Sequence, residues 1–126
     1  MINYQKYLSA ALLLLVFILS GCEEIINEIN IENDDLILVS PVDAAVLPAG
    51  TIFFDWESLE GASRYRIQIA SPDFQSPQQI VYDAIVQDSS GTRAQTSLEA
   101  GNYEWRVRGE NGAYESPYSR NDLLVE

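Results

Sequence analysis

The stretch Leu98–Asn111, LEAGNYEWRVRGEN, alternates from Tyr103 onward between large apolar and charged side chains. Tyr103, Trp105 and Val107 fall on one parity, and Glu104, Arg106 and Arg108 on the other. Successive side chains of an extended chain point to opposite faces, so this period of two reads as a strand with one buried and one wet side. Ala100-Gly101 punctuates its start and Asn111-Gly112 its end, both turn-forming pairs.

The same texture spreads outward from this strand. Alternating runs near Leu36–Ser40, Thr51–Trp56, Arg64–Ala70, Gln79–Asp83, Arg93–Ser97, Asn102–Gly109 and Ser119–Val125 are separated by turn residues such as Pro48-Ala49-Gly50, Glu60-Gly61-Ala62 and Ser89-Ser90-Gly91. Short strands at roughly 8–12-residue spacing indicate an all-β antiparallel sandwich. Parity assigns the core: Ile52, Phe54 and Trp56; Tyr65, Ile67 and Ile69; Tyr103, Trp105 and Val107; with Leu38, Leu98 and Leu123. At roughly 1.5–3 kcal/mol for each large side chain fully buried, these suffice for a domain without a disulfide.

Trp56 late in the second run, Tyr65 early in the third, and the Leu98, Gly101, Tyr103 spacing resemble the fibronectin type III family. The resemblance covers about residues 36–126 and implies an immunoglobulin-like sandwich of about seven strands. It further implies that Tyr103 packs inward while its hydroxyl bonds back to the preceding turn. Trp105 departs from the pattern, since a valine-like residue is common there. The scaffold carries many unrelated functions, so the resemblance speaks to fold rather than activity.

Ahead of the sandwich lies a leader. Leu8–Leu19, LSAALLLLVFIL, has one polar residue and is shorter than the roughly 20 apolar residues of a spanning helix, which fits a signal-peptide helix. Leu19-Ser20-Gly21-Cys22 follows and holds the only cysteine. It resembles the lipobox of bacterial lipoproteins, which implies a signal peptide over residues 1–21, cleavage before Cys22, and diacylglycerol attached to its sulfur, usually with an acyl chain (a palmitate, for example) on its new amino group. Each buried methylene contributes ~0.8 kcal/mol, so two or three chains anchor a domain stably. A plain secreted protein with a stray cysteine, or an uncleaved anchor, are the alternatives.

Residues 23–35, EEIINEINIENDD, carry six acids and no base, glycine or proline. That density favours an extended, solvated tether, which could span roughly 40 Å if fully stretched. Acids just after the cysteine also resemble the export signal of Bacteroidota-type surface lipoproteins. These resemblances imply a lipid-anchored location in the cell envelope, at the outer membrane with exposure on the cell surface, and leave the leaflet open.

From Cys22 onward six arginines face nineteen acids, a balance of −13, and there is no histidine. This field repels nucleic acid and anionic headgroups. Without histidine or a second cysteine, Ser-His-Asp and Cys-His nucleophiles, imidazole-bound metals and zinc-thiolate sites are excluded. Asp55, Glu57 and Glu60 cluster around a turn, yet carboxylate-driven glycoside hydrolysis needs a cleft and a fixed separation. A non-catalytic module without cofactor or metal is expected.

Two features are candidates for binding. Arg64 and Arg66 on one strand, and Arg106 and Arg108 on another, point opposite to the core residues, and in the family's topology these strands are neighbours. Arg120 is ambiguous, because Leu123-Leu124-Val125 gives no clean alternation. Such a face fits an acidic ligand, glycan or protein; the competing reading is cross-strand pairing with Glu104, Glu110 and Gln68. The loop Glu110–Pro117 offers Tyr114, and Tyr118 follows; both rings could stack on a sugar or a protein partner. That loop belongs at the end where the tether enters. Phe74, bracketed by Ser71-Pro72 and Ser76-Pro77, reads as a plug at the sandwich edge. A structural accessory or spacer subunit of an envelope complex is the alternative function.

Overall fold

The computed structural model describes residues 3–18 and 27–126. Helix α1 covers Tyr4–Ile18, where straight-chain and alanine residues dominate. Among the described residues no helix is long and apolar enough to cross a membrane. Cys22, the proposed lipidation site, lies outside the described residues.

Among the described residues eight strands follow: β1 Leu38–Ser40, β2 Ala45–Leu47, β3 Gly50–Trp56, β4 Arg64–Ser71, β5 Gln79–Gln87, β6 Arg93–Leu98, β7 Gly101–Glu110 and β8 Ser119–Val125. They form two sheets, β1-β3-β6 and β2-β8-β7-β4-β5. The sandwich is the expected one, with a strand more than the seven read from sequence. The addition, β2, is a three-residue element between Pro41 and Pro48 that pairs parallel to β8, Val46 opposite Leu124. Three residues carry no period, which is why the sequence does not show it.

The core lies between the sheets, built from the parity positions of β3, β4 and β7. Phe54 meets Trp105 edge-on at 5.0 Å between ring centroids, and Trp56 meets Tyr65 at 5.6 Å, geometries that aromatic quadrupoles favour. Trp105 is thus accommodated by an edge contact from the opposite sheet. Leu38 is only partly buried, whereas Leu36, Ala94 and Val125 join the core. The Tyr103 hydroxyl donates to the Glu99 carbonyl at 2.8 Å, closing the turn into β7 as expected.

The acidic segment before β1 departs from the solvated tether. Ile31 is fully buried, and the Asn111 side chain donates to the Ile29 carbonyl at 2.8 Å. Ile31, set among the acids, supplies burial that charge density alone argues against.

Candidate functional site

The candidate site is the outer face of β4, β7 and β8. Register places Arg66 directly opposite Arg108, Gln68 opposite Arg106 and Arg64 opposite Glu110. On the other side of β7, Arg106 faces Arg120 and Glu104 faces Asp122. Like charges are therefore paired across strands, an arrangement that costs stability unless something offsets it. Arg120 joins the face that the other four arginines share, resolving the parity of β8.

Carboxylates neutralise one end of this band. Glu110 bridges Arg64 and Arg108 at 3.0 and 2.8 Å, and Arg108 also reaches Glu115 at 3.1 Å. Burial pushes the Glu110 carboxyl up, but hydrogen bonds from Arg108 and Arg64 outweigh it and hold the group below its ordinary value. Arg66 Nε lies 3.3 Å from Asp83, yet it is buried and not aligned to hydrogen-bond with any partner. The charges are close enough to attract, but that nitrogen gains no hydrogen bond.

Arg106 is held differently. Its Nε and Nη2 both donate to Gln68 Oε1, at 3.0 and 2.7 Å. Its guanidinium lies 3.9 Å from the Phe74 ring centroid and 4.1 Å from that of Tyr118, which Arg108 approaches at 4.7 Å. Such contacts contribute ~0.5–2 kcal/mol and fix the plane of the cation. Burial lowers the Arg106 pKa, countered by Tyr118 and reinforced by Arg120 and Arg108. Among the described residues, neither Arg106 nor Arg120 has a carboxylate within ion-pair distance.

Phe74 therefore lies over the sheet face as part of the arginine cluster, rather than plugging an edge. Its amide donates to Glu104 Oε1 at 3.2 Å, which pins the 72–77 loop over β7. Nothing in its local sequence announces this, because the contact joins residues far apart in the chain. Tyr118 belongs to the cluster. Tyr114 does not: it sits at the tether end, beside Glu32, Arg64 and Glu115 around an open hollow of about 380 Å³. Asp55 pairs with Arg93 at 2.6 Å on the other sheet. Among the described residues no group of three or more acids or cysteines could hold a metal ion.

No protein-family model matches the chain, and no curated protein matches it in sequence. Solved structures do resemble it. The fibronectin type III domain of human contactin 1 matches with TM-score 0.53 and 21% identity, over 80% of this chain and 87% of that one. That of human collagen alpha-1(XX) matches with TM-score 0.53 and 17% identity, over 75% and 88%. FN3tt matches with TM-score 0.52 and 16% identity, over 72% and 95%. At such identities the likeness shows fold alone: the chain carries a fibronectin type III-like sandwich.

Proposed function

We propose that this chain is a cell-envelope lipoprotein, anchored through acyl chains on Cys22, whose sandwich is a non-catalytic binding or adhesion module for an acidic ligand. Its groups to be recognised are carboxylates or sulfates, as on a uronic or sulfated glycan or an acidic protein segment. One observation carries the reading: Arg106 and the exposed Arg120 stand side by side on the sheet face without a carboxylate partner among the described residues. Two guanidinium groups directly opposite each other across strands repel, and an anion bound between them would offset that cost. Phe74, Tyr118 and Gln68 fix the Arg106 guanidinium before a ligand arrives, which lowers the ordering cost of binding.

The test is binding to carboxylated and sulfated glycans across a salt series. Affinity should fall steeply with ionic strength, and Arg66→Ala with Arg106→Ala should abolish it; binding indifferent to both would defeat the reading. A second reading is favoured by β5, a nine-residue edge strand with Ile80 and Ile85 exposed. Such an edge can dock a partner strand. A structural subunit docked there would co-purify with its partner irrespective of salt and of the arginine changes.

A further inference from the structure

Residues 28–36 are fastened to one end of the sandwich by a dedicated bracket. The side chain of Asn111, only 3% exposed, uses its whole amide there. Its nitrogen donates to the carbonyls of Ile29 at 2.8 Å and Gly61 at 3.0 Å. Its oxygen accepts from the amides of Ala113 at 3.0 Å and Tyr114 at 2.8 Å. One residue thus ties the β3–β4 turn and the β7–β8 loop to the incoming chain.

Packing completes the fastening. Ile31 and Leu36 are buried, and Ser119 donates its hydroxyl to the Leu36 carbonyl. Gly61 has φ +90°, and a Cβ there would stand 2.9–3.0 Å from Ile29 and Ile31; both facts require glycine. The Gly112 amide donates to Glu28 Oε1 at 3.3 Å. A free linker needs none of these contacts.

We infer that residues 28–36 act as a clamp that shortens the leash from Cys22 and holds the Asn111 end of the sandwich against the bilayer. The membrane part of this inference rests on the lipid anchor proposed above. From Cys22 to Glu28 the chain spans at most about 20 Å, against the roughly 40 Å of an unfastened tether. The loop Asn111–Glu115 therefore faces the membrane, as its position at the tether end leads one to expect. Arg106 lies four residues before Glu110 on β7, ~13 Å further out along the strand, and the turn at Gly101 marks the distal end. The arginine face then stands sideways to the membrane, open to a ligand lying along the envelope surface, while Tyr114 is withdrawn from distant partners.

Two measurements test this separately. In the full chain, a glutamate-specific protease should cut after Glu28 and Glu32 at least about tenfold more slowly than in the denatured protein, and Asn111→Ala or Gly61→Ala should restore rapid cutting. Equally fast cutting in the native wild type would overturn the clamp, whatever happens to the variants. For orientation, a dye on Ala113→Cys or on Ala100→Cys is read against a lipid-borne acceptor in vesicles carrying the acylated chain. Strong transfer from position 113 and weak transfer from position 100 is expected; equal transfer overturns the orientation. Failure of the chain to associate with vesicles overturns the anchor, and protease protection then still judges the clamp.

Discussion

Arg106 and Tyr118 form the centre of the exposed sheet: the guanidinium lies 4.1 Å from the ring centroid, with Phe74 at 3.9 Å. A cation held between two rings and a glutamine loses its freedom in folding, not in binding. Truncating Phe74 to alanine should leave the fold intact, cost at most about 1–2 kcal/mol in chemical denaturation, and weaken acidic-ligand binding. Unchanged binding would show that Arg106 needs no pre-positioning.

Tyr65 should contribute to the alkaline limb of stability. Its hydroxyl donates to Asp88 Oδ1 at 2.7 Å and accepts from the Leu59 amide at 3.0 Å. Burial, the Asp88 hydrogen bond and the Asp88 charge raise its pKa to about 12, partly opposed by the Leu59 amide. The folded state therefore keeps a proton that the unfolded chain releases near pH 10. The resulting stabilisation is complete below pH 10 and is lost as pH rises toward 12. Tyr65→Phe should cost ~1–2 kcal/mol at neutral pH and flatten the alkaline fall in denaturation midpoint.

Glu110 works in the opposite direction. Its pKa lies below the ordinary value, so it contributes stability above the unfolded carboxylate range, and this is lost as pH falls through its lowered folded pKa. Glu110→Gln should cost ~1–3 kcal/mol at neutral pH, because both arginines lose the buried charge and one of them then faces an amide NH2 in place of an acceptor oxygen. A titration of unfolding free energy should then show a weaker acid dependence than the wild type.

Asn111→Ala removes four side-chain hydrogen bonds and leaves the Ile29 and Gly61 carbonyls without this donor. A loss of ~2–4 kcal/mol in urea unfolding is expected. Asn111→Asp, which keeps the acceptor and deletes the donor, should recover only part of it.

What could be read in advance followed from physics that is local along the chain. Tyr65, Ile67 and Ile69 announce a buried strand face by parity alone, and the same rule placed Arg64, Arg66, Arg106 and Arg108 opposite the core. Their shared sheet followed from the resemblance in topology. The contacts that decide the character of the site are not local. Phe74 reaches Arg106 across more than thirty positions, and Asn111 reaches Ile29 across 82. No periodicity encodes such meetings. The apolar run beside Arg120 hides its parity, although its register with Arg106 makes it part of the face. Ile31 is masked in the sequence by its acidic neighbours, since charge density measures what a segment repels and not what one of its side chains can bury.

The most direct measurement follows the arginine Nε–H resonances by NMR while a uronic or sulfated oligosaccharide is added at low salt. The signals of Arg66, Arg106, Arg108 and Arg120 should shift in saturable fashion and return on adding salt. Arg93, on the opposite sheet and paired with Asp55, should stay in place. Shifts of equal size at Arg93, or no saturable shift at Arg106, would contradict the assignment of this face as the binding surface.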